Sequence, residues 1–523
     1  MKKIIIFLSL IVGQIHNNNI SAQIIPDWAT TYSYNYPMTI NQNDMVIDNN
    51  GNIYITGYTY DTSYNSNNII TLKYNSSGQL QWIQQYDSIN YYSKIAVDDS
   101  GNVYVGGHSA YDLLTIKYSS LGVFQWVKSY AGSQSYNWVF DIITDDSCNV
   151  YITGNSHGDR FTTIKYSSSG NLLWIALDGP AGGLSNYYIS LDNNNNVYIV
   201  ARGYDTLSSF TCNTIKYNSY GVKQWEKIYH GNFNPGLAGP RGIKFDSNGF
   251  IYILASTTNN NNGEGDYAVV KYDTLGNEIW SSSYSFTSYY DVPKSMEIDK
   301  SGNVYVTGNI WPSGGGSDSI ATVKLNKIGS FEWARTYSLG YSGLDEASDI
   351  AIDSLGYIYV VGKSSDVSHY ENFVTIKYDS LGNEIWISRY QNTVNSSDAA
   401  NSVGLDNLGN VYVSGTSRDL NSSGILTIKY SNTVGIEDFS IGLNTIVNVF
   451  PNPFVSSLTI KVNKELKNAV LIIYDVIGKE ALKITNIDSQ IILLKRGSLA
   501  AGIYFFRLLE KDQDLASGKI SAQ

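Results

Sequence analysis

Three short phrases recur eight times each along this chain, always in the same order, and no other feature restricts the possible fold so tightly. The first is Thr-Ile-Lys-Tyr or a close variant, with its Lys at Lys73, Lys117, Lys165, Lys216, Lys271, Lys324, Lys377 and Lys429, spaced 44 to 55 residues apart. The second is Asp-x-x-Gly-Asn-Val-Tyr or a variant, beginning at Asp48, Asp98, Asp145, Asp192, Asp246, Asp299, Asp353 and Asp406. The third is a Trp strand, often Trp-x-x-x-Tyr, at Trp28, Trp82, Trp126, Trp174, Trp225, Trp280, Trp333 and Trp386. Repeats of this length, each one a supersecondary unit unable to bury its faces alone, must stack on their neighbours.

Within one repeat the pattern reads as four strands. In the second they are Lys94 to Val97, Val103 to Gly107, Leu114 to Tyr118 and Phe124 to Tyr130. A hairpin turn at 98–102 joins the first two, with Gly101 where a positive φ is needed, and a second short turn ends at Gly122. Four-stranded units at this period are the signature of propeller blades. The strand count also predicts how the ring closes. Trp28 belongs to a fourth strand yet precedes every first strand, whereas no Trp strand follows Lys429. The segment from Trp28 to Tyr32 should therefore be the outer strand of the last blade, removing an open sheet edge. The expected fold is all-β: an eight-bladed β-propeller of four-stranded blades over residues 23–430. The phrases resemble the SBBP-type bacterial β-propeller repeat, a resemblance that covers about residues 24–430 and speaks to fold, hardly to function.

Composition agrees. Of 523 residues only 15% are charged, while 43 Tyr, 10 Trp and 46 Gly supply strand formers and turn formers. A net charge of -11 argues against nucleic acid, whose binders cluster Lys and Arg. Lys2 and Lys3, the apolar run Ile4 to Val12 and small Ala22 read as a secretory signal over 1–22. No later segment is long and apolar enough for a transmembrane span. The two cysteines, Cys148 and Cys212, are expected to be unpaired, because two thiols in so long a chain do not make a disulfide framework.

From Val447 the repeat gives way to Val449-Phe450-Pro451-Asn452-Pro453-Phe454, then Leu458 to Ile460, Leu471 to Lys479, Leu499 to Arg507 and Gly518 to Ile520. Alternating runs punctuated by Pro, Gly and Asp suit a small antiparallel sandwich, expected to be Ig-like. The ordered motifs closely resemble the type A sorting domain of the type IX secretion system of Bacteroidota, over residues 447–523. The resemblance implies that the translocon and a sorting peptidase recognise this domain, and that the remainder is released or attached to the cell surface. Residues 431–446, which lack the repeat, would be the cleavable linker.

Catalytic signatures are sparse. His16, His108, His157, His230 and His369 fit no metal-site spacing, and there is no Gly-x-Ser-x-Gly elbow, P-loop or Cys-x-x-Cys. The Asp turns supply one sure carboxylate each, too few for the six to eight oxygens of Ca²⁺. They are expected to accept backbone N–H bonds within their own turns, and no cofactor or metal is expected. On the inner strands Asp44, Asp141 and Asp349, four residues before the turn Asp, form a weak cation or acid–base candidate near the channel mouth. Ion pairs of Asp44 with Lys94 and of Lys244 with Glu297 are the structural alternative. Binding is sought on the face whose loops vary, where Tyr60, Tyr64, Tyr91, Tyr92, Tyr111, Trp138, Tyr204, Trp311 and Tyr370 offer flat rings with polar edges. The expected function is a non-enzymatic glycan- or protein-binding module. A polysaccharide hydrolase or lyase using channel carboxylates, or a structural surface component, are the alternatives.

Overall fold

The computed structural model describes residues 24–431 except 25, 37, 62–65, 88–91, 110–111, 132–136, 157–159, 180–186, 205–209, 232–237, 259–264, 287–289, 312–317, 341–342, 367, 369 and 394, and residues 447–522 except 451–453, 455, 463, 476–478, 498, 501 and 512. The signal at 1–22, the linker at 432–446, and Tyr64, Tyr91 and Tyr111 lie outside the described residues.

The repeats fold into eight antiparallel four-stranded sheets. In the second blade the strands are Lys94–Val97, as the sequence pattern marks it, and Val103–Ser109, Asp112–Tyr118 and Phe124–Ala131, each one or two residues longer than marked. The middle strands of a blade are buried along nearly their whole length, as in Val150–Ser156. Each apolar cluster spans two blades: Tyr54 of the first packs with Ile95, Val103 and Val105 of the second. The core therefore lies between blades, which is why no repeat can fold alone.

The ring closes as the strand count requires. Trp28–Asn35 pairs antiparallel with Ser422–Tyr430, joining Ser397–Leu405 and Val411–Arg418 in the eighth blade.

Each phrase has a distinct bonding role. Asp98 Oδ1 accepts the backbone N–H groups of Ser100 and Asn102 at 3.0 and 2.9 Å, while Oδ2 accepts Asn102 Nδ2 and the Tyr104 hydroxyl at 2.9 and 3.1 Å. The Asp of every other repeat likewise takes the hydroxyl of its own Tyr: Tyr54, Tyr151, Tyr198, Tyr252, Tyr305, Tyr359 and Tyr412. All eight Tyr rings are at most 1% exposed, so the carboxylate gives each buried hydroxyl an acceptor, and Tyr104 has a second in Cys148 O at 3.1 Å. The Lys of the first phrase lies over the same ring, Lys117 at 5.0 Å from that of Tyr104. In the second blade its ammonium and the Trp indole reach forward together: Lys117 Nζ and Trp126 Nε1 both donate to Ser168 O of the next blade, at 2.8 and 3.1 Å.

That reach demands a glycine. At Gly329, φ is +80° and an added Cβ would lie 2.7 Å from the Trp280 ring of the preceding blade. Cys148 takes the equivalent left-handed position in its Asp turn, at φ 58°.

The C-terminal unit, 432–523, is a separate compact body. Val447–Phe450, Ser457–Val462 and Ile491–Lys495 form one sheet, and Glu480–Ile487, Ala469–Tyr474, Gly502–Glu510 and Gln513–Ala522 the other. Leu458, Ile460 and Leu494 of the first share a core with Leu471, Ile473, Phe506 and Leu508 of the second. This establishes two sheets of three and four strands around one core; it does not establish the Ig-like topology expected from the sequence.

Candidate functional site

The inner strands carry most of the charged side chains that the sequence singles out. In six of the eight a register shift places one extra residue outside the ladder, as at Asn43, between Gln42 and Asp44. The second strand accommodates the bulge by close approach. A Cβ on Gly308 would sit 2.2 Å from Val292 O and 2.5 Å from the Tyr267 hydroxyl.

The three channel carboxylates lie within their strands, and each is held by the neighbouring blade. Asp44 Oδ2 accepts Ile95 N–H at 3.2 Å, and Lys94 Nζ stands 3.6 Å from Oδ1. Asp141 accepts its own Ile142 N–H at 2.9 Å and Ile189 N–H of the next blade at 3.0 Å. Asp349 accepts Ile350 N–H at 2.9 Å, Val403 N–H at 3.1 Å and the Ser295 hydroxyl at 2.8 Å. Lys244 pairs with Glu297 at 2.5 Å. Among the described residues, no group of three or more His, Cys, Asp and Glu is arranged to hold a metal ion.

Burial dominates the electrostatics of this ring. It pushes the Asp141 carboxyl up to about 6, against the pull of Lys94 and the two N–H bonds, and it raises Asp349 as well. Burial also works against the Lys94 charge, but Asp44, then Tyr92 and Asp141, outweigh it and hold the ammonium well above its usual range. The hydroxyl of half-buried Tyr188 is pushed up to about 12, chiefly by desolvation.

The described aromatic candidates are spread over several blades. Tyr92 is half-buried, with its ring 6.4 Å from that of Phe140 and the Lys94 ammonium 5.9 Å away. Trp138 packs against His108 with ring centres 4.2 Å apart and tilted at 43°, and burial lowers that histidine to about 4. Tyr204, 41% exposed, packs against Phe210 at 5.2 Å. Trp311 N–H donates to Tyr290 O at 2.9 Å, and Tyr370 N–H to Asp366 Oδ1 at 3.2 Å. Tyr60 ends the second strand of its blade, at Ile53–Asp61. Two clefts of about 450 and 660 Å³ lie beside the Asp turns, between adjacent blades, at Asp48 and Asp98 and at Asp299, Asp353 and Asp406.

Two cations escaped the sequence reading, Arg241 and Lys294. Each follows a proline at the start of an inner strand, in Pro240-Arg241 and Pro293-Lys294, and that shared dipeptide pattern was the available signal.

Eight blades around a channel of paired charges, followed by a separate two-sheet unit, define a repeat-built β-propeller with an appended β domain. Residues 332–370 match the family described as a beta-propeller repeat, SBBP, and residues 448–521 match the secretion system C-terminal sorting domain. The chain thus carries an SBBP beta-propeller repeat and a C-terminal sorting domain of the type IX secretion system, which implies interaction with that machinery and export to the cell surface or extracellular space.

Comparison with curated proteins found no match. Similar solved structures include the WD40 domain of SCAP from fission yeast, at 11% identity and TM-score 0.44, covering 77% of this chain and 98% of that one. An ulvan lyase of polysaccharide lyase family PL25 is similar at 10% identity and TM-score 0.42, covering 69% and 95%. A protein of unknown function from Bacteroides caccae is similar at 10% identity and TM-score 0.33, covering 58% and 96%. Likeness at this level transfers neither substrate nor activity.

Proposed function

We propose that the exported ring is a non-enzymatic binding module that takes a surface glycan or a surface protein on the face opposite the Asp turns. Residues 1–22 and 447–523 would be removed during export. The observation that supports this reading best is the state of the channel carboxylates. Asp44, Asp141 and Asp349 each accept a backbone N–H from the next blade, so they act as pins between blades. A catalytic pair of acids would instead need open carboxyls on either side of a substrate. Flat rings with polar edges at Tyr92, Tyr204, Trp311 and Tyr370 suit contact with sugars or protein side chains.

The second reading, a polysaccharide hydrolase or lyase, draws on Asp141, whose raised carboxyl would hold a proton in mildly acidic medium. A binding screen of the full chain against glycans and surface proteins, run beside polysaccharide turnover assays, separates the two. Saturable binding without turnover supports the module, and turnover abolished by Asp141→Asn would replace it with an enzyme. If neither binding nor turnover is found, the ring is better read as a structural surface component.

A further inference from the structure

The six bulge residues of the inner strands are Asn43, Phe140, Arg241, Lys294, Ser348 and Asn401, so the only two charged members are cations on consecutive blades. The two asparagines show what this position does elsewhere. Asn43 Nδ2 donates to Ser93 Oγ at 3.3 Å and Asn401 Nδ2 to Gln42 O at 3.0 Å, each stitching its blade to a neighbour. Arg241 and Lys294 form no ion pair among the described residues, and Arg241 Nε is buried with no hydrogen-bond partner. A buried guanidinium N–H left without an acceptor is costly.

The surroundings increase the positive charge. Arg202, whose guanidinium lies 4.3 Å from the Phe210 ring, is pulled below its usual range by burial, and the charge of Arg241 adds to that shift. Lys294 is lowered by burial too, with Arg241 and Lys363 adding to the effect and Glu346 opposing it. Glu346 is itself 3.9 Å from Lys363, whose ammonium is bound by Glu371 at 2.6 Å. Arg241 also acts on the half-buried Tyr188 hydroxyl of the preceding blade. Arg241 thus lies within electrostatic reach of both Arg202 and Lys294, on a chain whose net charge is -11. Such an arrangement is stabilised by an oxyanion that neutralises the charges and accepts the open N–H.

We propose that the channel mouth over the fourth to sixth blades binds an acidic polysaccharide, with Arg241 and Lys294 taking its carboxylate or sulfate groups and Tyr188 lying against a sugar ring. This rests on the binding-module reading above, and the experiment is chosen so that the two fail separately.

The full chain is titrated calorimetrically with oligogalacturonate, dextran sulfate oligomers, neutral dextran and a poly-glutamate peptide, at low and at moderate salt. Binding of an acidic oligosaccharide is expected, weakening as salt screens the contacts. The uronate and sulfate arms distinguish the two oxyanions. Arg241→Gln and Lys294→Gln should each weaken binding about tenfold, while Arg241→Lys keeps part of it and Lys300→Gln, on the Asp-turn face, changes nothing. Thermal unfolding of each variant establishes that it is folded.

Acidic oligosaccharide binding that is indifferent to Arg241→Gln and Lys294→Gln overturns the proposal. So does preference for the poly-glutamate peptide. Binding of neutral glycans or surface proteins alone overturns it too, while leaving the binding module standing. A chain that binds nothing in either screen removes both.

Discussion

Trp28 and Lys429, at opposite ends of the propeller sequence, are register partners across the seam of the ring, and both donate to the same acceptor. Trp28 Nε1 and Lys429 Nζ reach Ser76 O of the first blade at 3.3 and 3.4 Å, so the last blade grips the first as the second grips the third. Deleting residues 23–36 removes this strand and exposes the edge of Ser422–Tyr430. The melting temperature should fall by on the order of 10 °C or more. An unchanged unfolding transition in scanning calorimetry would show that the seam contributes nothing.

Asp98 tests the turn. Its carboxylate accepts two backbone N–H groups, an amide and a buried hydroxyl, so Asp98→Ala removes the acceptor of two turn N–H groups and leaves the Tyr104 hydroxyl, at 0% exposure, only Cys148 O at 3.1 Å. The expected loss is about 2–4 kcal/mol by urea unfolding, with Asp98→Asn costing less because the amide oxygen still accepts. Equal losses for both variants would mean that the acceptor geometry of the turn is unimportant.

Gly329→Ala sets a Cβ against the Trp280 ring and forces a left-handed backbone on a residue that disfavours it. A loss of about 2–4 kcal/mol is expected, with a change in tryptophan emission as the indole leaves its cover. Wild-type stability and emission together would exclude the contact.

Asp141 makes stability depend on pH with a definite sign. Its folded carboxyl is raised from 3.8 to about 6, so in that range the folded state binds the proton more tightly than the unfolded chain. Its contribution is therefore most favourable at the acid end of this window and declines as pH rises through about 6. The stability of wild type relative to Asp141→Asn should fall by on the order of 1–3 kcal/mol between pH 4 and pH 6.5. A flat or rising difference would contradict a buried, proton-retaining carboxyl.

Both cysteines are free, Cys212 at 0% exposure and Cys148 partly exposed. Burial also pushes the Cys212 thiol far up, away from its reactive thiolate form. A thiol reagent should modify Cys148 slowly in the native chain and titrate two thiols only after unfolding. Fewer than two in the unfolded, unreduced protein would reveal a bond that the fold does not contain.

Much of this architecture was legible in the residues because the repeat writes its local chemistry eight times. Asp98-Asp-Ser-Gly-Asn102 announces a turn through its acceptor and its glycine, and the lone fourth strand at Trp28 announces the seam. The pairings of Asp44 with Lys94 and of Lys244 with Glu297 followed from equivalent positions on neighbouring repeats. The candidate site was less legible. Tyr92 and Tyr204 could be assigned to a face, but their neighbours Phe140 and Phe210 depend on how strands meet in space.

The sequence by itself determined the unit, its number, the closing strand and the sorting domain that sends the ring out of the cell. Those features are encoded in turn residues, in strand alternation and in motif order, all of which act over a few positions. Only the tertiary structure decided that Asp141 and Asp349 serve as pins between blades, and that Arg241 and Lys294 occupy bulges on consecutive blades with no ion pair among the described residues. The physical reason is that a bulge turns one residue out of the ladder, and ring closure sets which neighbour it meets. Neither is written in the spacing of a single repeat.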